Sequence, residues 1–163
     1  MVATELLLVL RIAHVLCAAL WFGAEMLWHS LLWEVPQRDS PEAVGERLGP
    51  LLGPSTKMLE GAEVATIVSG LLLLSVIGVG PGWFSTPRGL RFLGAMALAV
   101  GAFLLGLVSE RALGTALLTG VGRPIVPLAE RVQRLRLGRR LVSLELLLLT
   151  CVLLLMVLQT AGY

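Results

Sequence analysis

Four apolar segments, roughly Leu6–Trp33, Met58–Gly80, Leu90–Leu118 and Leu141–Ala161, restrict this chain to one kind of solvent. Each is longer than the ~20 apolar residues that cross ~30 Å of hydrocarbon. Inside a bilayer a single segment satisfies its own backbone groups only as a helix. The pattern therefore predicts an all-α, four-helix transmembrane bundle in up-down order. Charged residues make up 15% of the chain, against about 25% in an ordinary soluble domain. With 163 residues there is no room for a soluble domain beside four spans, so residues 1–163 read as one membrane domain with the lipid bilayer as its partner. Met1-Val2-Ala3-Thr4-Glu5 supplies no basic lead to the first apolar run, and that run is too long for a signal peptide, so the first helix is expected to be retained.

Charge sets the expected orientation. The connection between helices 1 and 2 carries Arg38, Arg47 and Lys57. That between helices 3 and 4 carries Arg111, Arg123, Arg131, Arg134, Arg136, Arg139 and Arg140, leaving only Arg11, Arg88 and Arg91 for the other face. The positive-inside rule places the two basic connections in the cytoplasm and both termini outside, as expected of a multi-pass protein of a bacterial cytoplasmic (inner) membrane. Ser40-Pro41-Glu42 reads as an N-cap with proline at the first helical position. It predicts a short helix over 41–48, stopped by Gly49-Pro50 and Gly53-Pro54. Gly120-Val121-Gly122-Arg123-Pro124 and Pro127 are expected to break the chain before a basic helical stretch, Arg131–Arg140, that lies among anionic headgroups. Gly78–Arg88 reads as a compact turn with Trp83 and Phe84 at the interface. Ala95 with Ala99, and Ala97 with Gly101, are small-residue pairs suited to close helix contact.

Ionisable side chains within the hydrocarbon are costly and mark candidate sites. Helix 1 holds His14, Glu25 and His29; helix 2 holds Lys57, Glu60 and Glu63; helix 3 ends with Glu110 and Arg111; Glu145 follows Arg139 and Arg140 in helix 4. In the expected orientation nearly all of these fall in the cytoplasmic half, with His14 alone toward the outside. The plainest reading is an intramembrane polar network in which the five glutamates pair with Lys57, Arg111, Arg139 and Arg140. At about 100° per residue, His14, Ala18, Trp21 and Glu25 share one stripe, the predicted interior face of helix 1.

Two chemistries compete with the plain network. The two histidines are about 22 Å apart along one helix and cannot clamp one haem together. Haem bound at His14 would take Met96, Met156 or a symmetry-related His14 as second ligand, or remain five-coordinate. Alternatively Glu25, His29, Glu60 and Glu63 offer an oxygen and nitrogen set for a divalent metal. His29, flanked by Trp28 and Trp33, also fits an interfacial anchor. Cys17 and Cys151 lie inside spans as packing residues, with no CxxC or CxxCH. GxSxG, P-loop and HExxH motifs are lacking, and the basic stretch faces a membrane rather than nucleic acid.

Leu10-Arg11-Ile12-Ala13-His14-Val15-Leu16, followed by Leu20-Trp21-Phe22-Gly23, resembles the opening helix of a bacterial superfamily of small four-helix membrane proteins that includes the CopD-like and HemJ-like proteins. Arg136–Arg140 leading to Leu144-Glu145-Leu146 is similar to the Arg-rich lead-in and acidic residue of the CopD-like domains. The resemblance implies a haem b near His14 and Trp21. The HemJ-type proteins also use a third-helix lysine, which Gly89-Leu90-Arg91-Phe92-Leu93 and the rest of this helix lack. The function expected is a redox-associated membrane protein, an oxidoreductase if it is an enzyme. The alternatives are a metal-ion transport protein, for copper or another divalent ion, and an accessory subunit of a larger membrane complex or homo-oligomer.

Overall fold

The computed structural model describes residues 2–34, 39–118 and 126–160. They form four long helices, α1 (Val2–Glu34), α2 (Pro41–Ile77), α3 (Pro87–Leu117) and α4 (Leu128–Thr160), with a 3-10 turn at Pro81–Ser85 between α2 and α3. Each long helix contains a stretch apolar and long enough to cross a membrane. Consecutive helices are neighbours, α3 and α4 run together most closely, and α4 closes the ring against α1.

The surface identifies the solvent. Leu8, Val9, Val15, Leu16, Leu147 and Leu154 are all more than half exposed, while Glu25, Glu63, Thr66, Ser69, Ser109, Arg131 and Glu145 are buried. In water this arrangement would expose the apolar groups and strand the polar ones; in lipid it is the expected sense of burial. The chain is a multi-pass integral membrane protein.

The helices begin and end where local chemistry dictates. Ser40 caps α2, its Oγ accepting from the Ala43 N–H at 3.3 Å, with Pro41 in the first turn. Gly78, at φ 70°, ends α2 in the left-handed conformation that only glycine adopts without strain. Thr86 caps α3, accepting from the Gly89 N–H at 3.1 Å and donating its own hydroxyl to the Trp83 carbonyl at 2.6 Å. Trp83 lies edge-on to Phe84 and tilted against Phe92, so the turn between α2 and α3 carries an aromatic cluster.

One expected break is absent. The helix expected to stop after residue 48 continues through Pro50 and Pro54 into the span, making α2 one 37-residue helix. Its first turns are held by packing that local sequence does not reveal: Val44, Leu48 and Leu52 are buried, and Gly45 lies directly against the Leu117 carbonyl at the end of α3. The basic helical stretch runs into the fourth span as expected, and the two form one helix, α4, that starts at Leu128 rather than Leu141. Arg131 does not face outward from the bundle but is buried within it. It donates from Nε to the Ala116 carbonyl at 2.9 Å and from Nη1 to Glu42. A helix leaves its last carbonyls unsatisfied and partly negative. Arg131 covers one of them for α3 and ties down the start of α2 by its ion pair. The expected break at residues 120–124 lies outside the described residues. At the α3 face the small residues that permit close approach are Ala95, Ala102, Gly106 and Ser109, so Ala95 serves as expected while Ala97 and Gly101 are not the buried pair.

Candidate functional site

One cavity of about 570 Å³ opens among all four helices near the 3-10 turn. Its wall is almost wholly apolar. Trp83 and Phe92 form one end and Trp21 lies at the other, with Met96 of α3 and Met156 of α4 in the lining and His14 projecting from α1. The stripe expected on α1 is thus interior: His14, Ala18 and Trp21 line the cavity, and Glu25, one turn further on, is buried.

His14 is held by α2. Its Nδ1 lies 3.0 Å from the Thr66 carbonyl oxygen and 3.1 Å from Ser69 Oγ. The carbonyl can only accept, and the Ser69 hydroxyl has its own acceptor in the Ala65 carbonyl at 2.6 Å. Both partners therefore call for a proton on Nδ1, and in the neutral imidazole that tautomer carries its lone pair on Nε2. A backbone carbonyl on the far nitrogen is the usual way a metal-binding imidazole is oriented. Gly70 supplies the space: a Cβ there would stand 3.2 Å from His14 Cε1. Thr66, Ser69 and Gly70 were not singled out in the sequence. Glu63, Thr66 and Gly70 recur at i, i+3 and i+7, one helical face, and that small and polar stripe was the available signal.

Trp21 divides this cavity from a second, polar centre. Its indole N–H is buried beside the carboxyl groups of Glu63 and Glu145 without reaching hydrogen-bond geometry with either. Glu25 of α1, Glu63 of α2 and Glu145 of α4 converge there, each presenting an oxygen within 4.8 Å of the others. All three side chains are at most 3% exposed, and both oxygens of Glu145 and Oε2 of Glu25 have no hydrogen-bond partner. At an effective dielectric of 20, two unit charges 4.8 Å apart repel by about 3.5 kcal/mol. A fully charged trio, with three such pairs, therefore calls for compensating positive charge, as protons or as a cation. Glu110 lies within electrostatic range of all three, and Glu60, exposed on α2, within range of Glu63 and Glu110.

The expected pairing of these glutamates with Lys57, Arg111, Arg139 and Arg140 is not what the structure shows. Among the described residues none of the five forms an ion pair. Lys57, Arg111 and Arg140 are exposed, and Arg139 lies in the field of Asp39. The acids gather with one another instead. Of the four residues proposed from sequence for a metal, Glu25 and Glu63 come together. Glu145 joins them, whereas Glu60 stays at the surface and His29 stacks on Trp33 with ring centres 5.7 Å apart. The stacking fits the interfacial role considered for His29. Cys17 and Cys151 are both free thiols.

Compared with protein-family models, with curated proteins and with solved structures, the chain matches none. Its class rests on fold and surface alone: a multi-pass membrane protein whose four helices enclose an apolar cavity with one imidazole and, beyond Trp21, a buried carboxylate trio.

Proposed function

We propose that this is a redox-associated membrane protein of the CopD/HemJ-like type whose four-helix cavity holds haem b, which His14 would bind through Nε2. The observation that carries the reading is the Nδ1 hydrogen bond to the Thr66 carbonyl, which turns a lone pair rather than an N–H outward from the imidazole. Volume and lining agree: about 570 Å³ lies within the 300–1,000 Å³ range of cofactor pockets, and the wall suits a flat apolar ring system. Met96 and Met156, both in the lining, are the residues available as a second ligand. When bound, haem would supply one-electron chemistry at its iron. The chain would fix the ligand's orientation through Thr66 and Ser69 and exclude water with the aromatic groups at the cavity's ends. Both termini would face outward, as the basic connections imply, in a bacterial inner membrane.

One observation favours a second occupant. Among the described residues no Arg or Lys lines the cavity, so nothing there pairs with the two carboxylates of a porphyrin. A hydroquinone needs no such partner, and its O–H would donate to Nε2. The deciding experiment is the absorption spectrum of detergent-purified protein expressed with haem precursor. A reduced Soret band at one haem per chain, lost in His14→Ala, supports haem. A colourless protein that binds a short-chain quinol dependent on His14 transfers the site to the quinol. Haem retained at full occupancy by His14→Ala refutes the assignment.

A further inference from the structure

The geometry points to a divalent-cation site at Glu25, Glu63 and Glu145, selective for a hard, oxygen-preferring ion of the Mn²⁺ class. This goes beyond the His14 reading and does not depend on it. The three carboxylates arrive from three different helices, α1, α2 and α4, and present oxygens within 4.8 Å of one another. The fourth helix contributes space: Gly106 of α3 faces Glu145, and a Cβ there would lie 2.9 Å from Oε1 and 3.3 Å from Oε2. An acidic cluster alone would not make a site, since carboxylates also gather at solvated surfaces. Here Glu145 is fully buried with both oxygens unpartnered, and Glu25 Oε2 is unpartnered as well. The buried Trp21 N–H, aimed at Glu63 and Glu145 and bonded to neither, is a donor placed for a water molecule on the ion.

The donor set decides the class of ion. Three carboxylate oxygens with no sulfur and no imidazole suit Mn²⁺, Mg²⁺ or Ca²⁺ rather than Cu⁺ or Zn²⁺. His29 is stacked on Trp33 and is not among the ligands, so the nitrogen that would favour zinc is missing from the trio. Three carboxylates around one divalent ion leave a single net negative charge, far less than the bare trio carries.

The test uses the full chain in detergent, stripped with chelator and colourless, and titrated with MnCl₂ while free Mn²⁺ is read by electron paramagnetic resonance. One saturable Mn²⁺ per chain is expected. Affinity should fall at least tenfold in Glu63→Gln and in Glu145→Gln, and far less in Glu60→Gln, whose exposed side chain acts on the trio only through its charge. Gly106→Ala keeps every carboxylate but pushes a methyl toward Glu145, and should also lower affinity. It serves if a glutamine variant fails to give a monodisperse helical protein. Absence of saturable binding to the wild type overturns the proposal and leaves the trio compensated by protons. Wild-type affinity in the glutamine variants that fold, or in Gly106→Ala where they do not, overturns it too.

Discussion

Replacing Gly45 with alanine separates two pictures of α2. In one, Pro50 and Pro54 end a short surface helix, and the turn holding Gly45 is loosely attached. In the other, α2 is continuous and its first turns are docked on the end of α3. The structure gives the second, with Gly45 against the Leu117 carbonyl: a Cβ there would overlap the oxygen and stand 3.3 Å from the carbonyl carbon. Backbone faces backbone, so no rotamer change relieves the contact. Overpacking of this kind costs about 1–3 kcal/mol. Gly61, further along α2, is the internal control, because a Cβ there meets nothing within 4 Å and no proline follows it to disfavour a side chain in helical conformation. Alanine in place of glycine inside a helix gains about 0.5–1 kcal/mol. That gain is common to both substitutions and cancels between them. Gly61→Ala is thus expected to be neutral or stabilising, and Gly45→Ala less stable than Gly61→Ala by about 1–3 kcal/mol. Thermal unfolding in one detergent, followed by circular dichroism, measures the difference. Variants within about 0.5 kcal/mol of each other would refute the docking, because the overpacking term would then be missing.

Two further outcomes follow from the same structure. If one methionine is the second ligand to a haem on His14, Met96→Leu or Met156→Leu, but not both, should alter the low-spin spectrum while leaving haem content unchanged. Glu42 has its pKa lowered from 4.5, first by a backbone hydrogen bond, then by the Ser40 hydroxyl, with Arg131 adding to the effect. A carboxylate with a depressed folded-state pKa stabilises the fold above its unfolded pKa, and that contribution is lost as pH falls through the folded value. Glu42→Gln should therefore lower the unfolding temperature at pH 7, and the gap from wild type should close only as pH drops below 4.5.

The four spans were legible because lipid imposes a length and a composition, and both are written locally. The interior stripe of α1 was legible too, since His14, Trp21 and Glu25 share a helical phase. What escaped was set by contacts between helices. Local rules end a helix at Gly49-Pro50, yet burial of Val44, Leu48 and Leu52 carries α2 through. Arg131 reads as one more headgroup arginine until the end of α3 is placed beside it. The acids were paired with bases because charges near balance invite it. Which glutamates converge depends instead on the rotation of α4 against α1 and α2, and Glu145, the single charged residue of the segment Leu141–Ala161, gives no phase to read.

The two centres share Trp21, and this makes their coupling measurable. Glu25 follows His14 by eleven residues on α1, about 16 Å along a helix. Across that distance a divalent ion and one unit of charge interact by about 2 kcal/mol at an effective dielectric of 20, before screening by solvent and salt. If His14 carries a haem, oxidation adds one positive charge at the cavity and should weaken Mn²⁺ at the carboxylate trio. The full 2 kcal/mol is about thirtyfold in affinity, so screening leaves a smaller but resolvable change. Linkage makes the effect reciprocal: saturating Mn²⁺ should raise the reduction potential by the same free energy. Measuring Mn²⁺ affinity in dithionite and again in ferricyanide tests this with one sample. Equal affinities in the two states, in a protein that binds both groups, would place the centres beyond electrostatic reach and refute the arrangement in which both lie against Trp21.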